Sequence, residues 1–69
     1  MKRKHRVKQK TREIIDSGQR PSATRISSEL EWPEQDVHRC LNSLEKDGEV
    51  STYRKEVLGK KYRMVGLNR

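Results

Sequence analysis

The sequence predicts a small, mainly α-helical domain that ends in a β-hairpin. Apolar residues recur at helical spacing as far as residue 48, and two short runs of strand-forming residues follow. The chain has 69 residues, which is enough for one domain. We therefore expect three helices followed by a two-stranded hairpin, with a basic arm at residues 1–5 and the domain itself at residues 6–69.

The first helix is predicted from about Arg6, or slightly earlier, to Ser17. Gly18 follows at the position where a residue in the left-handed conformation closes a helix. The basic residues at the start have no apolar partner in this register, so they form either a frayed helix end or a loose arm. Three residues recur on one face of the helix: Val7, Thr11 and Ile14.

Two further helices are predicted on either side of a tight turn. Ser22 is expected to cap the second helix with its hydroxyl, and Pro33 is expected at the first position of the third, where its missing N–H costs nothing. Gly48 ends the third helix. A short helix, a turn and a longer helix form a helix-turn-helix pattern. The expected apolar stripes are Ala23, Ile26 and Leu30 in the second helix, and Val37, Cys40, Leu41 and Leu44 in the third.

The hairpin is predicted from Val50 to Lys55 and from Lys61 to Val65, with its turn near Gly59. Val57 and Leu58 are expected to pack across the hairpin; otherwise they would mediate self-association or touch a partner. The aromatic side chains have structural interpretations. Tyr53 and Tyr62 would pack across the strands, and Trp32 would close the core where the second and third helices meet.

From Ser22 to Val50 the chain resembles the winged helix-turn-helix family. Residues 22–30 are similar to the cap and second helix of that family, and residues 32–50 to its recognition helix and first wing strand. The ending Leu44-Glu-Lys-Asp-Gly-Glu-Val50 is the most characteristic part. The resemblance implies DNA binding, as in small bacterial transcription regulators encoded by plasmids and phages. The superfamily also includes members that bind proteins or RNA.

The third helix is also similar in spacing to Z-alpha domains, which bind left-handed duplexes. That family grips the backbone with an Asn, an Arg and a Tyr, of which only Arg39 has a counterpart here, and the hairpin lacks its Pro and Trp. Glu31 stands where many winged helices have a turn glycine. A left-handed Glu would be strained, so we expect this turn to be built differently.

Charge is distributed unevenly along the chain. Residues 1–12 contain seven basic side chains and no acid, residues 13–50 contain four basic side chains and nine acids, and residues 51–69 contain six basic side chains and Glu56 alone. Polyanion binding is the natural interpretation of both basic ends.

Other functions find no support in the composition. The lone Cys40 cannot form an internal disulfide, and the chain shows no metal-ligand spacing and no catalytic constellation. We therefore expect a non-enzyme without cofactor, metal or small-molecule ligand. The basic start is not followed by an apolar stretch and no run is long enough to cross a bilayer, which favours a cytoplasmic, nucleoid-associated protein without membrane contact.

Candidate contact residues follow from helical geometry and charge. Opposite the apolar stripe of the third helix lie side chains that suit base edges in the major groove: Gln35, Arg39, Asn42 and Lys46, with His38 and Ser43 flanking them in the same candidate base-reading face. The candidates for phosphate contact are Lys2, Arg3, Lys4, Arg6, Lys8, Lys10, Arg54, Lys55, Lys60, Lys61 and Arg63.

The expected main partner is double-stranded DNA, with a homodimer or another protein as a further partner. Three alternatives stay open: a protein-interaction winged helix in a larger complex, an RNA-binding protein, and a protein that binds Z-form duplexes.

Overall fold

The computed structural model describes residues 3–68. Three helices precede an antiparallel hairpin, which confirms the predicted fold class and its winged-helix layout. The elements are α1 (Arg3–Asp16), α2 (Ala23–Leu30), α3 (Glu34–Lys46), β1 (Val50–Val57) and β2 (Lys60–Leu67).

The first helix begins earlier than the sequence predicts. Residues 3–5, which were expected in an arm, belong to α1, and the helix ends at Asp16. Lys4 forms an ion pair of 2.9 Å with Asp47, and Arg3 one of 3.3 Å with Asp36. These contacts hold the first turn against α3. Local periodicity could not predict them because their partners lie more than thirty residues away.

The turn between α2 and α3 corrects a second prediction. Glu31 adopts the left-handed conformation, with φ 57°, although the sequence favoured another kind of turn. The Trp32 N–H donates to the Ser27 carbonyl at 3.0 Å, and the Glu31 N–H donates to the Ser28 carbonyl at 3.3 Å. These bonds satisfy carbonyls that the end of a helix leaves unpaired, which offsets the strain at Glu31.

The ends of α2 and α3 follow the predicted capping with one shift. Ser22 caps α2 by accepting a hydrogen bond from the Arg25 N–H at 3.0 Å, as expected. Pro33 lies just before α3 and not at its first helical position, and its carbonyl accepts from the Asp36 N–H at 3.0 Å. Cys40, expected in the buried stripe, is only partly buried.

The hairpin is longer and its turn tighter than predicted. Toward the tip, β1 extends by two residues and β2 by one, and β2 continues two residues further at its base. Leu58 and Gly59 alone form the turn, with φ 51° and 79°. Two consecutive positive φ values are typical of the two-residue turn that matches the twist of a hairpin. Leu58 is 99% exposed and Val57 43% exposed. The prediction that Leu58 packs across the hairpin is therefore wrong.

A short extended segment before α2 pairs with β2 as a third, strand-like member of the sheet. Ser22 forms an antiparallel bridge with Met64, and the Val65 N–H donates to the Pro21 carbonyl at 3.0 Å. β2 therefore has a neighbour on each side at its base, whereas β1 is an edge strand. This bridge was not predicted, because it involves only two residues and its partner lies far along the chain.

The core lies where the three helices meet the base of the hairpin. Burial of a large aliphatic side chain contributes roughly 1.5–3 kcal/mol, so a few residues dominate this small core. Trp32 is partly buried and packs against it, at the junction of α2 and α3, as predicted. The buried cluster consists of Val7, Ile14, Ala23, Ile26, Val37, Leu41, Leu44, Val50 and Val65.

Candidate nucleic-acid interface

One stripe of α3 faces away from the core and is polar along its whole length. Val37, Leu41 and Leu44 are fully buried on the inner side. Four residues of the predicted base-reading face lie on the outer side and are all exposed: Gln35, Arg39, Asn42 and Lys46. Their amide and cationic groups match the donor and acceptor patterns of base edges.

Arg63 of β2 connects the hairpin to α3. Its guanidinium donates to the Asn42 side-chain carbonyl at 2.8 Å and lies 3.1 Å from Nδ1 of His38. The Glu45 carboxylate lies 3.4 Å from the same group. Residues 38, 42 and 45 recur at helical spacing, so they form the side of α3 that faces the hairpin. The sheet and the exposed stripe of α3 therefore belong to one surface.

These contacts divide the predicted base-reading residues into two groups. A guanidinium only donates hydrogen bonds, so His38 accepts at Nδ1 and Asn42 accepts through its side-chain oxygen. Asn42 thus keeps both amide N–H groups for another partner, whereas one of the two lone pairs of its oxygen is used by Arg63. Gln35, Arg39 and Lys46 carry no such contact to the hairpin within residues 3–68. Ser43 is only partly exposed and lies at the margin of the stripe.

Glu45 is a residue of this surface that sequence reasoning missed. Its carboxylate accepts from the Thr52 hydroxyl at 2.9 Å and from the Thr52 N–H at 3.3 Å, besides its contact with Arg63. It therefore contacts both strands. Its spacing of three residues from Asn42 and seven from His38 places Glu45 on the same side of α3 as those two residues. The sequence alone does not show that the hairpin lies on this side, so the side could not be distinguished from a solvent-exposed helix face.

The predicted phosphate contacts at the chain start have partners inside the molecule. Lys8 pairs with Glu49 at 2.6 Å, alongside the Lys4 and Arg3 pairs described above. Arg6 and Lys10 both lie within ion-pair distance of Glu13, at 3.7 and 3.5 Å. Lys2 lies outside the described residues. Acids of α3, of the turn that follows it and of α1 itself therefore neutralise much of the basic charge of α1.

Two carboxyl groups at the end of α3 titrate below their ordinary range. The hydrogen bond from Lys4, together with the positive charge of Lys4, lowers the pKa of Asp47. The same hydrogen bond and the negative charge of Asp47 raise the pKa of Lys4. The hydrogen bond from Lys8 is the largest cause that lowers the pKa of Glu49. These shifts in pKa favour the charged forms of Asp47, Glu49 and Lys4.

The basic residues of the hairpin are more accessible. Arg54, Lys55, Lys60 and Lys61 are all exposed, whereas Arg63 is partly buried against α3. An open groove of about 680 Å³ separates the starts of α2 and α3 from the hairpin, and Arg54, Lys61 and Arg63 line it together with Glu34. A groove with a mainly basic wall beside a polar helix suits an anionic polymer backbone.

The remaining predicted features are structural. Trp32 has Arg3 above its ring, with the guanidinium carbon 5.9 Å from the ring centre. Burial raises the pKa of the Cys40 thiol, which favours its protonated, unreactive form. Within residues 3–68, no three His, Cys, Asp or Glu side chains are grouped so as to hold a metal ion. Over the same range, no helix is long and apolar enough to cross a membrane.

No family model matches this chain, and no curated protein sequence does.

Proposed function

We propose that this chain is a winged helix-turn-helix protein that binds double-stranded DNA and acts as a transcription regulator. The outer stripe of α3 would enter the major groove, and the hairpin would follow the neighbouring phosphates. The observation that carries this proposal is the contact of Arg63 with His38 and Asn42. Because of that contact, the exposed polar stripe and the basic hairpin lie side by side.

The charge of the surface supports duplex DNA as the ligand. Arg39 and Lys46 add two basic groups to the four exposed basic residues of the hairpin. The basic residues of α1 contribute less, since acids of the same molecule neutralise several of them. We therefore assign the phosphate contacts mainly to residues 54–61, and base contact mainly to Gln35 and Arg39.

The direct test is fluorescence anisotropy with a labelled random-sequence duplex at two salt concentrations. Proteins that neutralise several phosphates release counterions, so their affinity falls steeply as salt increases. We expect micromolar or tighter binding at low salt and a strong loss at the higher concentration. Failure to bind at low salt would overturn the proposal.

A pair of substitutions tests the contact surface. Arg39→Ala on a site selected from a random pool should weaken binding by roughly 1–3 kcal/mol if Arg39 reads a base. Arg12→Ala is the matched control, because Arg12 is an exposed basic residue that lies beside Leu67 on another part of the molecule. Equal losses from the two substitutions would contradict base contact by α3.

A competition experiment separates DNA from the alternative ligands. Three unlabelled competitors are compared: duplex DNA, structured RNA and a duplex held in the Z-form. Duplex DNA should displace the labelled duplex at a lower concentration than either of the other two. An RNA-binding protein would give the reverse order of RNA and DNA. A protein-interaction domain would bind all of these polymers weakly.

A further inference from the structure

One edge of β1 faces away from β2. In the half of β1 nearer the hairpin tip, the backbone groups of this edge form no hydrogen bond with another strand within residues 3–68. The Thr52 N–H points away from β2, toward the Glu45 carboxylate, at 3.3 Å. Alternate residues of a strand direct their backbone groups to the same side, so the N–H and C=O groups of Arg54 and Glu56 also point away from β2. Unlike Thr52, these two residues form no hydrogen bond with a side chain of α3 within residues 3–68. They offer two donors and two acceptors to another strand.

The side chains of β1 are complementary in charge and polarity to those of a second, antiparallel copy of β1. If two copies of β1 lie antiparallel with Lys55 opposite Lys55, then Arg54 of each copy faces Glu56 of the other. In the same register Tyr53 faces Val57, which joins two apolar side chains that are 49% and 43% exposed in the single chain. Opposite charges and aromatic–aliphatic pairs are the cross-strand neighbours that stabilise antiparallel sheets.

This arrangement also matches the hydrogen-bonding pattern. Arg54 and Glu56 are the residues with outward backbone groups, so each Arg54–Glu56 couple would exchange two backbone hydrogen bonds. The two neighbouring symmetric registers place Arg54 opposite Arg54 or Glu56 opposite Glu56, which like charges disfavour. Glu56 is the only acid among residues 51–69, and this register gives it a partner in each copy.

We propose that two copies of this chain associate through the outer edge of β1, paired antiparallel around Lys55. Charged residues on an edge strand commonly prevent such pairing, but here the charges that meet are opposite. Only Lys55 lies opposite a residue of like charge, the Lys55 of the second copy at the symmetry axis. The far edge of β2 is a poorer candidate, since its outer half, from Lys60 to Arg63, contains no acid and the Pro21–Ser22 segment covers its base.

The helices do not obstruct this pairing. They contact the base of the hairpin, where Val50 is buried and Glu45 reaches Thr52. In the proposed register, Thr52 of one copy lies opposite Leu58 of the other. The two helical bodies are therefore at opposite ends of the joined strands.

Sedimentation velocity without nucleic acid tests the association, so its outcome is independent of the proposed function. Over about 10 μM to 1 mM, a range suited to weak self-association, the mass should rise from 8.2 kDa toward twice that value. Glu56→Arg and Arg54→Glu should each weaken association about tenfold or more, because like charges then face each other. The combined exchange should restore it to within about threefold. A monomer at every concentration, or failure of the exchange to restore association, would overturn the proposal.

Disulfide trapping tests the register independently of charge. In a Cys40→Ser background, Lys55→Cys places two thiols at a non-hydrogen-bonded pair, whose Cα atoms lie about 4.5 Å apart, within disulfide range. Ser51→Cys is the matched control, on the same strand and the same face, and its thiols would be about 26 Å apart. In an oxidising glutathione buffer, Lys55→Cys should cross-link about tenfold faster or more. Equal rates would overturn the register.

Discussion

At Arg63, one side chain from the sheet reaches three side chains of α3. Its side chain is mostly covered, with 20% exposed, and the partners of its guanidinium are His38, Asn42 and Glu45. The planar group can donate in several directions at once, which a lysine ammonium cannot do with the same geometry.

Arg63→Lys should therefore lower the free energy of unfolding, by about 1 kcal/mol, since it loses charge-assisted hydrogen bonds that are partly screened by solvent. Urea denaturation measures this change. Arg54→Lys, at the cross-strand partner position of Arg63, is the control and should change stability little, since Arg54 is exposed. If both substitutions cost the same, the contact with α3 does not stabilise the fold.

Leu58 is a second residue whose local conformation has a measurable cost. It is left-handed, with φ 51°, and 99% exposed, so no packing offsets the strain. Asn adopts this conformation more readily and is typical of the first position in such a turn. Leu58→Asn should raise the free energy of unfolding by about 0.5–1 kcal/mol. Thermal and urea denaturation would both reveal it, and a loss of stability would mean that Leu58 makes a contact that this structure does not contain.

Among the elements, α1 depends most on charge. Its first turns pair with Asp36, Asp47 and Glu49, which belong to α3 and the turn after it. The lowered pKa values of Asp47 and Glu49 mean that the folded chain binds protons at these groups less readily than the unfolded chain does.

The contribution of these pairs should therefore be complete above the ordinary carboxyl pKa, about 4, and decline as the pH falls below it. Lys4 has a raised pKa, so its contribution persists through neutral pH and declines only in strongly basic solution. Urea denaturation at pH 7, 4 and 3 (roughly spanning the carboxyl range) should show a steeper loss for the original chain than for Asp47→Asn combined with Glu49→Gln. Parallel losses would contradict this assignment.

How far the sequence predicts each element depends on how local its determinants are. The Ser22 cap, the presence of a hairpin and the inner stripe of α3, apart from Cys40, follow from spacing and turn chemistry, and the structure confirms them. The start of α1 and the bridge between Ser22 and Met64 depend on partners distant in sequence. At Glu31 the determinants are local, but two of them oppose each other. The hydrogen bonds at the end of α2 outweigh the unfavourable left-handed backbone conformation of Glu31.

The candidate surface was only partly predictable for the same reason. The outer face of α3 follows from helical geometry. The contact of Arg63 with His38 and Asn42 requires the position of the hairpin. The ion pairs of Lys4 and Lys8 require the approach of α1 to the end of α3.

At the scale of the whole molecule, the structure distinguishes two kinds of basic residue. Those of the hairpin tip are exposed, whereas Lys4 and Lys8 have carboxylate partners. Substituting Lys60 or Lys61 with Gln should reduce the salt slope of duplex binding by about one per residue. Lys4→Gln and Lys8→Gln should instead lower the free energy of unfolding and leave the salt slope nearly unchanged. Anisotropy titrations with the same duplex measure both slopes, and equal reductions would contradict the distinction.

The open edge of β1 has a consequence for the length of any recognition sequence. In a pair joined at Lys55, each Val50 lies five residues from the symmetry axis, so the two Val50 residues are about 33 Å apart along the strands. Successive major grooves on one side of B-form DNA are about 34–36 Å apart. If the proposed pairing and the proposed DNA binding both hold, the paired molecule would suit an inverted repeat whose halves are centred one helical turn, or about ten base pairs, from each other.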